Sequence, residues 1–335
     1  MLIIFCGCSK IKLVGKILAN IAGVPYIIVA TAPSMDGYAS ATSSMDVDGV
    51  KVSLPSKCAD IIIGDTDILK TAPEKMMKSG LGDMIAKYIS ICEWRISHEI
   101  NGEYYCEKVA QMVRISLKKC VDGADGLLKK EDIAVESVFE GLVTCGEAMT
   151  LAGVSRPASG VEHYISHIWD MRVLEFGTKA ELHGIQCAIG TLIAAKIYEQ
   201  LKRLTPDRQK AVAYAENFNI ESWNIDLRAF LGKGAETMID LEKKEQKYST
   251  DKHKERLEII LKKWDEILEI INKEVPESTE IEKLLDKIQA PKTLEEIGLE
   301  INILPMTFKA SKDIRDKYVL SRLVWDLGVI DEIKF

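Results

Sequence analysis

The sequence predicts a short α/β portion, the remnant of a Rossmann-like parallel sheet, followed by an all-α helical domain. Three observations carry this. The runs LIIFC (2–6), VPYIIVA (24–30) and ADIII (59–63) are short and apolar, as buried strands of a parallel sheet are. Beyond about residue 68 such runs almost vanish, and apolar residues recur at helical spacing between short Gly-, Pro- and Asp-rich turns. The length of 335 residues, 47% of them hydrophobic and 28% charged, suits one large or two ordinary domains with a sizeable core. The expected division is 1–67 for the α/β portion and 68–335 for the helices.

Taken in order, strand 2–6 ends at Gly7, IKLVGKILANIA (11–22) has helical periodicity, and strand 24–30 follows. Strand, glycine turn, helix and strand make a βαβ unit, whose two strands must run parallel. Residues 45–54 predict a hairpin turning at Asp48-Gly49. The third buried strand, 59–63, ends at Gly64-Asp65. Helices are expected over 80–98, 104–120, 131–150, 160–172, 183–202 and the charged stretch 252–273. Residues 274–295 suggest a loop with short helices, and 308–328 a closing helix pair. Three strands are about half of what a nucleotide-binding sheet uses.

The net charge of −7 argues against a nucleic-acid partner, which would require a basic face. Lys and Arg gather in 242–263, but interleaved with Glu, as on a solvated helix face. Eight cysteines without a CxxC pair suit reduced thiols and a cytoplasmic location better than disulfides or a zinc knuckle. Cys6 and Cys8 alone lack partners for a metal. The opening MLIIFCGC has no basic flank, and no apolar run reaches about 18 residues, so neither a secretory leader nor a membrane span is expected.

Four segments carry chemistry. His163 and His167, spaced i,i+4, share one face of a helix, and His183 follows in Leu-His-Gly; together they suggest a divalent metal site rather than scattered polar residues. ATAPSMDGYAS (30–40) follows a strand, where ligands of parallel sheets gather, and offers Thr31, Ser34, Asp36 and Ser40, or it is an ordinary polar turn. In GLGDMIAKY (80–88), Asp83 lies near a helix start, where an acidic residue is favourable in any case, and Lys87 one turn on could pair with it at the surface. In SRPASG (155–160), Arg156 either neutralises a phosphate or holds the loop. His98 and His253 lie in charged surroundings and are expected to be exposed and uninvolved.

TAPSMDGYAS, GLGDMIAKY, NGEYYC, SRPASGVEHYISHIWD, LHG and the closing RDKYVLSRLVWDLG, in this order, resemble the sn-glycerol-1-phosphate dehydrogenases. That family is a branch of the glycerol dehydrogenase, dehydroquinate synthase and iron-containing alcohol dehydrogenase superfamily. The resemblance implies a dehydroquinate synthase-like fold and a divalent metal, Zn2+ or Ni2+, held by Asp83, His163 and His183. His167 would contact substrate, and Asp36 would bind its hydroxyls. Gly7, Thr31, Ala32, Pro33, Ser34 and Ser40 would meet NAD or NADP. Lys87 stands where iron-dependent cousins carry a fourth ligand, and Lys87 and Arg156 are the candidates for the substrate phosphate.

The implied reaction interconverts dihydroxyacetone phosphate and sn-glycerol 1-phosphate, with no nucleic-acid partner and with a homo-oligomer left open. Two departures stand out. The family places on the order of a hundred further residues of nucleotide-binding domain before the equivalent point, so a shortened cofactor domain is expected. Its glycine-rich turn, similar to GSGTIND, stands here as Gly7-Cys8-Ser9-Lys10-Ile11-Lys12-Leu13, where a side chain at Ser9 should crowd a pyrophosphate. A non-catalytic relative that has lost dinucleotide binding, or a related polyol dehydrogenase, are the competing readings.

Overall fold

The computed structural model describes residues 2–8, 10–47 and 50–335. Strand β1 (Ile3–Gly7), helix α1 (Lys10–Ala22) and strand β2 (Tyr26–Ala30) form the expected βαβ unit. Two further strands, β3 (Thr42–Val47) and β4 (Val50–Pro55), pair antiparallel, and β5 (Ile61–Ile63) joins the first sheet. That sheet is parallel throughout, in the order β1-β2-β5, with Gly7 beside Ala30 at its carboxyl edge. The hairpin turn proposed at Asp48-Gly49, and Ser9 in the glycine-poor turn, lie outside the described residues.

The apolar runs suggested buried strands, and the sheet is covered on one face only. Tyr26, Ile28 and Ala30 of β2 are buried, whereas Ile4, Ile61 and Ile63 on the opposite face are 58%, 52% and 43% exposed. Among the described residues no helix packs on that second face, so β5 contributes only Ile62 to the core.

Everything after β5 is helical. In order come α2 (Thr66–Leu69), α3 (Glu74–Ile85), α4 (Lys87–Asn101), α5 (Glu107–Asp122), α6 (Ala124–Leu127), α7 (Asp132–Ala152), α8 (Val161–Phe176) and α9 (His183–Leu201). The remainder holds α10 (Arg208–Glu216), α11 (Ile220–Leu231), α12 (Gly234–Glu245), α13 (Thr250–Lys262), α14 (Trp264–Glu274), α15 (Ser278–Lys287), α16 (Leu304–Ser311) and α17 (Leu320–Asp326). Side chains cap several of these, including Asp65 before α2 and Asn219 before α11, and left-handed glycines 102, 153 and 177 end α4, α7 and α8.

The helix expected over 80–98 divides at Ala86, and the one over 252–273 divides at Lys263; neither break carries a proline or glycine that could announce it. Because α3 begins at Glu74, Asp83 lies in its last turn. An acidic residue there is disfavoured by the helix dipole, so capping does not explain it. No described helix is long and apolar enough to cross a membrane.

One hydrophobic cluster runs from Ala19, Tyr26 and Ile28 through α3, α7, α8 and α9 to Ile330, so sheet and helices share a core. The loop after β2 is clamped into it. The buried Lys16 ammonium of α1 donates to Gly37 O (2.6 Å) and Ser40 O (2.5 Å), and Tyr38 Oη donates to Ala32 O (2.7 Å). Thr150 Oγ1 of α7 donates to Ala39 O (3.0 Å). This fixed loop presents Asp36 and Ser40 to the helices.

Candidate metal and substrate site

Glycines bring the separate segments together. A Cβ on Gly80 would lie 1.9 Å from Pro33 O, one on Gly82 would lie 2.3 Å from Gly184 O, and one on Gly184 would lie 1.8 Å from Ser79 O. Helix α3 therefore meets the β2 loop and the start of α9 backbone to backbone, where only glycine fits. Two of these three glycines sit next to a predicted ligand in sequence, Gly82 beside Asp83 and Gly184 beside His183. The His163 ring then lies 5.0 Å from that of His183, and the His167 ring 5.7 Å from it, centroid to centroid.

Asp83 is wholly buried. Its Oδ1 accepts from Lys87 Nζ (2.8 Å), its Oδ2 accepts from the Asp36 backbone N–H (2.9 Å), and Oδ1 lies 3.5 Å from His163 Nε2. The ammonium of Lys87, also fully buried, uses its other donors on Asp36 Oδ2 (2.7 Å) and Ala158 O (3.0 Å). Burial works against both charges, yet each outweighs it for the other: Lys87 and His163 hold the Asp83 carboxyl well below the usual range, and Asp36 with Asp83 holds the Lys87 ammonium well above it. The Lys87–Asp83 pair expected at the surface is an interior triad with Asp36.

The imidazoles are oriented from behind. His163 Nδ1 donates to Glu162 Oε1 (2.7 Å), which leaves Nε2 facing Asp83. For His183 the tautomer follows from a chain. Gln186 Nε2 donates to Asp170 Oδ1 (3.2 Å), so its Oε1 faces Ser166, whose hydroxyl donates to it (2.6 Å). With that hydrogen spent, Ser166 Oγ accepts from His183 Nδ1 (3.0 Å), and the lone pair of His183 lies on Nε2. Such backing of ring nitrogens is the usual arrangement around metal-ligating histidines.

Two atoms each about 2.1 Å from a tetrahedral metal stand about 3.4 Å apart. The Asp83–His163 separation matches that edge, whereas the ligand atoms of His183 converge with those of His163 and Cys187 and do not fall in one set with Asp83. The structure adds a donor that the motifs did not suggest. Cys187, one turn after His183 on α9 and fully buried, places Sγ 3.6 Å from His183 Nε2. Ligand atoms of His163, His183 and Cys187 lie within 4.8 Å of one another, as do those of Asp36, Asp83 and His163. His163 is common to both sets. Burial opposes ionisation of the Cys187 thiol, but His163 and His183 outweigh it and hold its pKa below the ordinary value.

A cavity of about 350 Å3 opens over this cluster, with Asp36, Ser40, His163, His167, His183 and Arg315 on its wall. That volume suits a small ligand. A larger groove of about 780 Å3, beside Trp223 and Lys312, contains none of the predicted site residues.

Of the residues expected to meet a nucleotide, Gly7 and Thr31 lie at the carboxyl ends of β1 and β2, and Ser40 lines the cavity. Ala32, Pro33 and Ser34 are buried under α3, with Ser79 Oγ donating to Ser34 O (2.9 Å). Arg156 is absent from the cavity wall. Its buried guanidinium is spent on Glu103 (2.7 and 2.5 Å), Ser97 Oγ (3.2 Å) and Tyr318 O (2.7 Å), which decides for the loop-holding role over the phosphate. Lys87, with its three hydrogens committed, is likewise no phosphate donor. His98 is exposed as expected, but His253 is buried with Nε2 2.8 Å from Asp326 O.

A family profile described as iron-containing alcohol dehydrogenase matches residues 2–73. A glycerol-1-phosphate dehydrogenase [NAD(P)+] of Halalkalibacterium halodurans is 27% identical over 94% of this chain and 68% of its own length. One from Thermococcus sibiricus is 36% identical over 65% of this chain and 64% of its own. The chain is thus similar to glycerol-1-phosphate dehydrogenases, at 27–36% identity for these relatives. It spans no more than about two thirds of the length of the curated relatives it matches. Among solved structures, a probable glycerol dehydrogenase from Sinorhizobium meliloti superposes with a TM-score of 0.58 at 15% identity, over 99% of this chain and 77% of that one. This establishes the shared fold: a small parallel sheet joined to a helical domain.

Proposed function

We propose that this chain interconverts dihydroxyacetone phosphate and sn-glycerol 1-phosphate with a divalent metal and NAD or NADP. The observation that carries the reading is the cavity that joins Asp36 to His163, His167 and His183 directly above Asp83. Asp83, His163 and His183 would hold Zn2+ or Ni2+, and Glu162 and Ser166 would keep the two rings aimed. The bound ion supplies Lewis-acid polarisation of the substrate carbonyl. Asp36, its carboxylate fixed by Lys87, accepts from the terminal hydroxyl and sets the face of C2 that is presented. His167, one turn from His163 on the cavity wall, gives a proton to the C2 oxygen on reduction and removes it on oxidation. A nicotinamide nucleotide would supply or take up the hydride, and Thr31, at the end of β2, with Ser40 on the cavity wall would be the residues to meet it.

The closed packing of Ala32–Ser34 under α3 favours one second reading, a relative that keeps the metal but no longer binds dinucleotide. One experiment separates the two. The purified chain is loaded with zinc or nickel and NAD(P)H oxidation is followed with dihydroxyacetone phosphate, with dihydroxyacetone as the polyol control. Turnover lost in Asp83→Ala together with the metal supports the proposal. Stoichiometric metal without nucleotide binding or turnover refutes it in favour of the second reading. Metal retained after replacement of both His163 and His183 refutes the ligand assignment.

A further inference from the structure

We infer that Arg315 anchors a phosphate in the cavity above the histidines, an inference that rests on the substrate reading just given. Both cations singled out by the motifs are already committed, Lys87 to Asp36 and Asp83, Arg156 to Glu103 and Tyr318. A phosphorylated ligand seated against Asp36 would therefore find no side-chain cation for its phosphate, which lies at the far end from the carbonyl that the metal would polarise, unless another basic group faces the cavity. Among the described residues on that wall, Arg315 is the one guanidinium or ammonium group. No hydrogen bond or ion pair among the described residues uses its side chain, and it is only half-buried, so its donors are available. A guanidinium presents a planar fork that matches two phosphate oxygens at once.

The segment around Arg315 is fastened on both sides. Lys247 Nζ donates to Asp313 O (3.3 Å) and Arg315 O (2.5 Å). Lys317 Nζ donates to Ser159 Oγ (2.7 Å) and Ser159 O (3.1 Å), and Ser159 is itself on the cavity wall. Arg156 reaches the same segment through Tyr318 O (2.7 Å). These basic side chains, spent on backbone carbonyls, hold the 313–318 strap against the 155–159 loop. Arg315 is the basic residue of that strap that faces the cavity. The phosphate end of the substrate lies on Arg315, the reacting carbons between Asp36 and His167, and dihydroxyacetone or glycerol, lacking the phosphate, would leave Arg315 unused.

The test uses the full-length, zinc-loaded chain and equilibrium binding of dihydroxyacetone phosphate, dihydroxyacetone and inorganic phosphate, with metal content as the control for folding. Arg315→Gln should weaken dihydroxyacetone phosphate by about 10- to 100-fold, the worth of a hydrogen-bonded charge, and leave dihydroxyacetone and zinc content unchanged. Arg315→Lys should recover part of the loss. An Arg315→Gln variant that retains zinc and binds dihydroxyacetone phosphate like the parent overturns the inference. Inorganic phosphate bound by the parent and lost in Arg315→Gln, with no binding of dihydroxyacetone phosphate by either, keeps the anchor and removes the proposed substrate.

Discussion

Replacing Lys87 by methionine tests the interior triad directly, because the change removes one charge from a fully buried cluster and nearly conserves volume. In the parent protein the ammonium makes two ion pairs at 2.7 and 2.8 Å and a third hydrogen bond at 3.0 Å, with no exposed surface. Without it, Asp83 at 0% and Asp36 at 7% exposure remain as two carboxylates in one pocket. Breaking a buried pair from one side costs about 3–5 kcal/mol, mostly through the uncompensated charge left behind. In chelator, Lys87→Met should therefore melt about 4–7 °C below the parent, because each kcal/mol is worth about 1.4 °C in a chain of this length.

Excess divalent metal should reverse the order of effects. The ammonium lies 2.8 Å from Asp83 Oδ1, so in the parent it competes with any dication for that carboxylate. Lys87→Met should bind zinc more tightly than the parent, and zinc should narrow the gap in melting temperature. The triple variant Lys87→Met, Asp36→Asn, Asp83→Asn, which removes all three charges, should regain much of the chelator-form stability and lose zinc. Calorimetric melts with and without zinc, paired with a zinc titration, read all of these. A Lys87→Met protein within about 1 kcal/mol of the parent in chelator, or one with weakened zinc affinity, would refute the reasoning.

Gly184→Ala, whose Cβ would meet Ser79 O at 1.8 Å, should push α9 off α3, lowering the melting temperature and the zinc content together; a zinc-replete variant of parental stability would show that the crossing does not set the ligands. Cobalt loading separates the two donor sets that share His163. The Asp83 set predicts no thiolate charge-transfer band and an unchanged spectrum in Cys187→Ser, and a strong near-ultraviolet band lost in that variant would place sulfur on the metal. Burial, only partly offset by Asp313, pushes Lys312 down to about 7 from 10.5. The unfolded chain then holds the extra proton between those values, so stability should rise with pH through that window, by up to about 1.4 kcal/mol per pH unit, and Lys312→Met should flatten the slope in denaturant titrations at pH 7 and 9.

The strands were legible because short apolar runs beside glycines have few alternatives, and the histidines because i,i+4 spacing places them on one face whatever the fold. What escaped detection depends on distant packing. The apolar runs give no sign that Ile61 and Ile63 face outward, since exposure follows from which elements cover the sheet. The break at Ala86 lies inside an unbroken helical pattern, and it moves Asp83 from an expected helix start to a helix end. Cys187 falls one turn after a recognised histidine, so the His-x-x-x-Cys spacing was a usable signal. Arg315 offered none, because its place on the cavity wall depends on Lys247, Arg156 and Lys317 tying a remote strap to the 155–159 loop.

The origins of the site residues show how the two parts of the molecule divide the work. The expected metal ligands come only from helices, Asp83 on α3, His163 on α8 and His183 on α9. Asp36 and Ser40 come from the loop after β2, and Arg315 from the strap before α17. Helix α3 couples these sets, since Gly80 rests on Pro33 of the loop while Gly82 rests on Gly184. The Asp36 backbone N–H closes the circuit on Asp83 Oδ2, and Lys87 bridges the two carboxylates from just beyond the break at Ala86. A displacement of the β2 loop cannot then be confined to substrate contacts. It withdraws a hydrogen bond and an ion-pair partner from the Asp83 carboxylate, so the position of the sheet-edge loop and the charge balance at Asp83 are mechanically one property of α3.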